Sequence, residues 1–305
     1  GRRAAVARDP AWCWPVGGGE SAVRWGVVWG AGAGRTQRGT GATLDRDAFL
    51  PYTGITTGLG RSASLTDRSI GAAILQAEAW FTPALARVGD PRDTNSIAAL
   101  PLYHIFALTL GFLAIRWGSY VTLIPNPRDI GKFIETLKRR PFHMLPAVNT
   151  LFNALLQHPQ FRSVDFSHLC VSQAGGMAAS EGTARQWLAV TGCPMIEGWG
   201  MSETCAIGTN NPVNSERFNG TIGLPLPGVV IAIKDDEGRS LAVGQSGEIC
   251  IQGPNVMTGY YHQAEETANI FTADGFMGTG DIGALEEGGT TKKRTRTRAM
   301  IWGGG

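Results

Sequence analysis

Between residues 95 and 200, short apolar runs alternate with stretches of helical period. The runs IAALPL, YVTLI, HMLPAV, LCVSQAGG and PMIEGWG read as short buried strands set off by turn formers. In DIGKFIETLKRR the apolar residues Ile130, Phe133, Ile134 and Leu137 recur at i, i+3, i+4 and i+7. Asp129 is placed to cap that helix, and its basic residues gather at the far end. Ser180 caps a second helix, EGTARQWLAV, in the same way. Strands alternating with helices predict an α/β layered domain. After about residue 220 the pattern changes: GVVIAIKDDEGRSL reads as two strands about an Asp-Glu-Gly turn, and GEICIQG as a third. The expected organisation is therefore an α/β core over 46–219, a smaller β-rich subdomain over 220–284, and a basic end over 285–305.

Two stretches do not fit a simple period. Residues 95–115, NSIAALPLYHIFALTLGFLAI, hold no charge and are long enough to raise a membrane-spanning helix. Pro101, Tyr103 and His104 interrupt the run, and proline disfavours a continuous helix, so the expectation is a buried strand, a turn and a buried helix. Residues 1–45, rich in Gly, Arg and Trp, show no sustained period and read as a poorly ordered tail or foreign sequence. Their GAGAGR run fails as a dinucleotide loop, because Arg35 takes the third-glycine position of G-x-G-x-x-G and no amphipathic helix follows. No apolar core follows Arg2 and Arg3 before Asp9, so a signal peptide is not expected.

Composition narrows the class. Of 305 residues 43% are hydrophobic and 17% charged, which describes a globular protein with a sizeable core. A net charge of +2 gives no argument for nucleic acid or an anionic membrane as partner. The five cysteines, Cys13, Cys170, Cys193, Cys205 and Cys250, form no C-x-x-C pair. They read as reduced and buried, which suggests a cytoplasmic protein without a zinc site.

Residues 52–69, YTGITTGLGRSASLTDRS, gather glycines and hydroxyls around the cation Arg61. Such a loop suits a phosphate: glycines admit backbone N–H groups, hydroxyls donate, and a cation offsets charge. A flexible surface loop is the alternative. It is not a Walker A loop, which would need glycine where Ile55 stands and lysine where Arg61 stands. A second cluster, EGWGMSET, offers Trp199 as a flat face for a purine between glycines, Ser202 as a phosphate donor and Glu203 as an oxygen ligand for Mg²⁺. An ordinary turn with a core tryptophan is the bland reading of the same residues.

YTGITTGLGRSASLT resembles the Thr/Ser/Gly-rich loop YTGGTTGxxKGxxLTH of the adenylate-forming enzymes, the family of acyl-CoA synthetases and luciferases. EGWGMSET resembles that family's E-G-[YW]-G-[ML]-[ST]-E-[TS], and QAGGM, DGFMGTGD, PLYHIFAL, IGLPLPG and GEICIQGPNVMTGYY follow the family order. PLYHIFALT and QAGGMA are most similar to the long-chain fatty acid CoA ligase branch. The resemblance implies the family's layered α/β core with a β-rich subdomain. It also implies ATP, Mg²⁺ and CoA as cofactor and co-substrates, and activation of a long-chain fatty acid to acyl-AMP followed by transfer to CoA. Small molecules would be the partners, in the cytoplasm, with peripheral membrane contact and oligomeric state left open.

The resemblance assigns residues as follows. Thr53, Gly54, Thr56, Thr57 and Gly58 would cradle the β- and γ-phosphates, with Thr56, Arg61 and Glu203 as the catalytic set and Glu203 as metal ligand. Glu197, Gly198, Trp199, Gly200, Met201 and Ser202 would hold the nucleotide. Gly175, Gly176 and Met177 would line the adenine and acyl side, and His104 with Gly175 the acyl site. A satisfied buried histidine is the alternative for His104. Asp281 would accept from both ribose hydroxyls, a vicinal diol suited to a carboxylate. Arg296 would contact ribose and phosphate, and Arg298 would sit at the hinge.

Several positions depart from the family. Arg61 replaces the loop lysine, keeping charge but not shape, Ile55 replaces a glycine and Ser62 another. Thr295 and Ala299 replace acidic residues near the hinge. The sequence is expected to stop at that hinge, without the C-terminal domain and its lysine, and to lack the segment that normally precedes the loop. Three readings follow: a ligase by lineage, a non-catalytic remnant that at most binds nucleotide, or a membrane-associated binding protein using residues 95–115.

Overall fold

The computed structural model describes residues 22–24, 43–53 and 60–294, with 22–24 and 294 by backbone alone. Strands β1 (Ala22–Arg24), β2 (Asp47–Phe49), β3 (Tyr52–Thr53) and β4 (Arg61–Thr66) precede helix α1 (Asp67–Leu85). Strands and helices then alternate: β5 (Asn95–Ala98), α2 (Ile105–Trp117), β6 (Tyr120–Leu123), α3 (Ile130–Arg139), β7 (Met144–Ala147), α4 (Asn149–Gln157), β8 (Val171–Ala174), α5 (Glu181–Thr191) and β9 (Met195–Trp199). The remainder is β10 (Thr209–Asn210), β11 (Leu224–Pro225), β12 (Val230–Lys234), β13 (Gly247–Gln252), β14 (Gly259–Tyr260), α6 (Ala264–Ile270), β15 (Met277–Leu285) and β16 (Thr291–Arg294).

The largest sheet runs β1-β6-β5-β7-β8-β9-β10-β11. Its five middle strands, β6 to β9 in that order, are parallel, and β1, β10 and β11 add antiparallel edges. Side chains alternate between its faces, as strand geometry requires. Leu145, Ala147, Ala174 and Met195 join Phe133 and Ile134 of α3, Phe152 of α4 and Trp187 of α5 in one core. Met144, Val171 and Ile196 instead meet Ala77, Phe81 and Leu85 of α1 and Leu113 and Trp117 of α2. Helices thus cover both faces, which explains why the strands read as unbroken apolar runs. Pro146 is tolerated within β7 because it lies past the single registered pair with β5, Ser96↔Met144.

The helix ends match their sequence signals. Asp129 Oδ1 accepts from the Lys132 amide at 3.1 Å, and Ser180 Oγ from the Thr183 amide at 3.1 Å. The uncharged run resolves into β5, a turn and the 13-residue α2, ended by Gly118 at φ 66°. Among the described residues no helix is long and apolar enough to cross a membrane. Of the four described cysteines, all unpaired, Cys193, Cys205 and Cys250 are buried, whereas Cys170 is half-buried. Cys13 lies outside the described residues.

Three expectations shift. β1, from the stretch 1–45 set apart by its lack of period, pairs with β6 at the edge of the large sheet. KDDEGRSL does turn at Gly238 (φ 78°), but its second arm forms only the bridge Lys234↔Ser240, and β12 pairs along β13 instead. The strand-rich part also runs past residue 284: β15 reaches Leu285, and β16 folds back on it through Gly288 and Gly289, both with positive φ. The run read as a basic end thus begins as an edge strand, where charged side chains can face water.

Among the described residues there are two smaller sheets, β12-β13-β15-β16 and β14-β4-β2 with β3 on β4. A third core joins them to the large sheet: Ala63 and Leu65 of β4, Trp199 at the end of β9, Ile231 and Ile233 of β12, Ile249 and Ile251 of β13, and Tyr260. The large sheet's strands end at this junction, the usual place for a ligand crevice in an open α/β sheet.

Candidate active site

A cavity of about 1100 Å³ opens at that junction. Its walls come from β3 and β4 (Thr53, Arg61), the start of α2 (His104, Phe106), the end of β8 (Gly175, Gly176), the turn after β9 (Gly198 to Glu203), Tyr260 and Glu266 near α6, and Thr279 and Gly280 of β15.

The turn after β9 is the most firmly built part. Its backbone is tied from within, the Met201 amide donating to Thr204 Oγ1 at 3.0 Å and the Ala206 amide to the Met201 carbonyl at 3.0 Å. It is also held from outside, by Thr109 Oγ1 on the Cys205 carbonyl (3.0 Å), Asn255 Nδ2 on the Thr204 carbonyl (3.0 Å) and the Met257 amide on the Glu203 carbonyl (2.8 Å). These anchors hold Cys205 and Ala206 at φ 53° and 71°, a conformation rare for residues with a side chain. Gly200 is required here because a Cβ would lie 2.2 Å from the Ala206 carbonyl oxygen.

Glu203 is 4% exposed, and Tyr260 donates its hydroxyl to Oε1 at 2.9 Å. Burial raises the Glu203 pKa, offset in part by its own backbone, by the Tyr260 bond and by the charge of Arg61. Burial and the Glu203 carboxylate likewise push the Tyr260 hydroxyl up. Arg61 stands over the Tyr260 ring, 5.4 Å from its centroid, and pairs with Glu266 at 2.6 Å. Among the described residues no three His, Cys, Asp or Glu side chains gather as a metal cage. One buried carboxylate at a cavity wall is a donor of the kind Mg²⁺ takes, and phosphate oxygens and water would have to supply the rest.

Trp199 is 8% exposed, and its indole N–H donates to Asp281 Oδ2 at 2.9 Å. The same oxygen accepts from Lys293 Nζ at 2.8 Å. Glu197 of β9 is buried, and desolvation pushes its pKa up to about 7 against the Ala179 amide and the charge of Lys293. His104 is exposed, its Nδ1 accepting from the Phe106 amide at 3.2 Å as the cap of α2; the satisfied buried histidine is not what forms. Gly175 is buried under the Phe106 ring, where a Cβ would lie 3.0 Å from the nearest ring carbon.

Thr53, Arg61, His104, Gly175, Gly176, Gly198, Trp199, Gly200, Met201, Ser202 and Glu203 are therefore brought to one cavity. Asp281 adjoins its wall at Gly280, and Glu197 lies buried in β9. Met177 departs from expectation: past the turn at Gly176 (φ 75°) it is 58% exposed and lines no part of the cavity. Gly54, Thr56, Thr57 and Gly58, with Ile55, and Arg296 and Arg298 lie outside the described residues.

Gln173 and Asn210, which the resemblance gives no role, also line the cavity and bond amide to amide, Asn210 Nδ2 donating to Gln173 Oε1 at 3.0 Å. A glutamine within the apolar run VSQA was the signal at hand, since buried polar groups need partners. Tyr260 and Glu266 were also passed over, and their pairing with Glu203 and Arg61 joins residues too distant in sequence to be seen there.

A family model described as AMP-binding enzyme matches residues 19–261, beginning inside the stretch set apart as 1–45. The chain belongs to the AMP-binding enzyme family. Long-chain-fatty-acid–CoA ligase of Yersinia pestis is 40% identical over 255 residues, covering 83% of this chain and 44% of that protein. The protein of that name from Haemophilus influenzae is 42% identical over 256 residues, covering 83% of this chain and 45% of that protein. The chain thus spans less than half the length of these curated relatives. Among solved structures, apo MatB from Rhodopseudomonas palustris superposes with a TM-score of 0.75 at 30% identity, covering 84% of this chain and 49% of MatB. The inhibitor-bound N-terminal domain of FACL13 from Mycobacterium tuberculosis shares the fold, with a TM-score of 0.72 at 24% identity, over 83% of this chain and 61% of that domain.

Proposed function

We propose that this chain carries the nucleotide- and acid-binding face of an AMP-forming acid–thiol ligase that activates a long-chain fatty acid. The supporting observation is the convergence of Arg61, Glu203, the Trp199–Asp281 pair and Gly175 on one cavity from four separate parts of the chain. The names of the curated relatives point to the same reaction. In this reading residues 46–219 form the adenylating core, and the β-rich unit from 220 extends through β16.

The fatty acid carboxylate attacks the α-phosphorus of ATP, forming acyl-AMP and releasing pyrophosphate; CoA sulfur then displaces AMP. No protein nucleophile is needed, so the residues act by position and charge. Mg²⁺, held by Glu203, would neutralise charge on the phosphates. Arg61 is the cation for the phosphate tail beside Thr53, Asp281 receives the ribose hydroxyls, and Gly175, lying under the Phe106 ring, lines the acyl side with His104. The reaction belongs in the cytoplasm.

A second reading, nucleotide binding without turnover, is favoured by one observation. Arg61, the cation given to the phosphate tail, is already paired with Glu266. Exchange of labelled pyrophosphate into ATP, dependent on a long-chain acid and Mg²⁺, tests the first reading. Exchange above background supports it. Nucleotide binding without exchange leaves the second, and a folded protein that binds neither ATP nor AMP overturns both.

A further inference from the structure

Glu266 lies outside every motif that marked the site, yet its carboxylate holds Arg61, the cation that the nucleotide reading gives to the phosphates. Arg61 Nη2 and Glu266 Oε2 are 2.6 Å apart, and both side chains line the cavity. The pair is part-exposed, but the backbone segments that carry it are held. α6 is fastened to β14 where the Tyr260 amide donates to Thr267 Oγ1 at 2.9 Å, and Thr267 Oγ1 donates in turn to the Gln263 carbonyl at 2.8 Å. Gly259 allows that approach, because a Cβ there would lie 2.6 Å from Thr267 Cγ2. Glu266, one residue before Thr267, is thereby held at the cavity edge. Arg61 is fixed from the opposite side by β4 pairing with β3 and β14, Thr53↔Arg61 among the registered partners.

The charge count at this end of the cavity is then unfavourable for an anion. Among the described residues one guanidinium faces two carboxylates, Glu266 in direct contact and Glu203 beyond the Tyr260 ring. A guanidinium binds carboxylate and phosphate through the same planar donors, so the two anions are rivals for it.

We propose that Glu266 competes with the nucleotide phosphates for Arg61, and so is a specificity residue that lets only a polyphosphate displace it. This inference rests on the nucleotide reading above. Glu266 stands in for phosphate while the cavity is empty; the tail of ATP then takes Arg61 from it. AMP, whose single phosphate stays with the ribose, gains nothing from the exchange.

The test is the binding of ATP and of AMP, each with Mg²⁺, to the wild-type chain and to E266Q, R61Q and the double variant, by isothermal titration calorimetry. Replacing Glu266 by Gln removes the rival charge but keeps the side chain's length. The pair is part-exposed, so the expected gain is about two- to fivefold tighter ATP binding in E266Q. AMP affinity is expected to stay unchanged, which also reports that the variant is folded. In the R61Q background, E266Q is expected to leave ATP affinity unchanged. ATP binding that weakens or does not move in E266Q, while AMP binds normally, overturns this inference and leaves the nucleotide reading intact. A wild-type chain that binds neither nucleotide overturns both.

Discussion

Trp199 and Asp281, 82 residues apart, are joined by one hydrogen bond of 2.9 Å from the indole N–H to the carboxylate Oδ2. The bond ties the end of the parallel sheet to β15 of the neighbouring sheet at the cavity wall. It also makes Trp199 a buried wall, with one edge against Gly208, where a Cβ would lie 2.9 Å from Trp199 Cζ3.

Trp199→Phe tests that joint. Phenylalanine removes the donor and leaves a small void, and the two effects together cost about 2 kcal/mol. Lys293 still reaches Asp281, but from the part-exposed side, where salt screens it. Urea unfolding is expected to show the loss, and to show it more strongly at high salt. A loss below about 0.5 kcal/mol would mean that the joint contributes little.

Much of the α/β layer was legible because its signals are local. A period of i, i+3, i+4, i+7 with a cap at Asp129 needs no tertiary information, and neither does a proline that splits residues 95–115. The motif around Trp199 and Glu203 was legible for the same reason: its glycines and acids are consecutive. What escaped was set by contacts between distant segments. The sequence around Cys205 and Ala206 carries no mark of a left-handed backbone, which exists because Thr109, Asn255 and Met257 hold the turn. Glu266 sits in a helix that looks like any acidic first turn, and only folding brings it to Arg61. The edge strands β1 and β16 were missed because a short edge strand needs no apolar run of its own.

Glu197 makes stability depend on pH. Its folded pKa is pushed up to about 7 by burial, above the ordinary carboxylate value. The protonated form is thus favoured in the fold, so the stabilisation is complete below about pH 4.3 and is lost as pH rises through about 7. Glu197→Gln is neutral throughout and can still accept from the Ala179 amide. The variant's stability minus that of the wild type is expected to grow by about 2 kcal/mol between pH 5 and pH 8. A flat difference across that range would place an ionised Glu197 in the fold.

His143 works in the opposite direction and lies away from the cavity. Its Nδ1 accepts from the buried Asn95 amide at 2.9 Å. Burial first, then the charges of His168 and Arg87, lower its pKa. A histidine held neutral in the fold gives stability above its unfolded value near 6.5, and that stability is lost as pH falls through the folded value. The loss is limited to about 1.4 kcal/mol per pH unit. His143→Gln, which keeps an acceptor, is expected to flatten the decline between pH 7 and pH 5.5 in thermal unfolding. An unchanged slope would exclude His143 as its source.

Two glycines separate a requirement of the turn from a general preference of the chain. Gly71 lies inside α1, where an added Cβ would meet nothing within 4 Å, so Gly71→Ala is expected to stabilise by about 0.5–1 kcal/mol through helix propensity. Gly200 meets backbone at 2.2 Å, and backbone held by Met201, Thr109 and Asn255 cannot withdraw as a side-chain tip can. Gly200→Ala is therefore expected to cost about 2–3 kcal/mol in urea unfolding, as overpacking does. Because the strain falls between Trp199 and Glu203, nucleotide affinity is expected to drop with it, whereas Gly71→Ala leaves affinity unchanged. If Gly200→Ala were as stable as the wild type, Ala206 would have to move, and the turn that presents Glu203 would be softer than its hydrogen bonds imply.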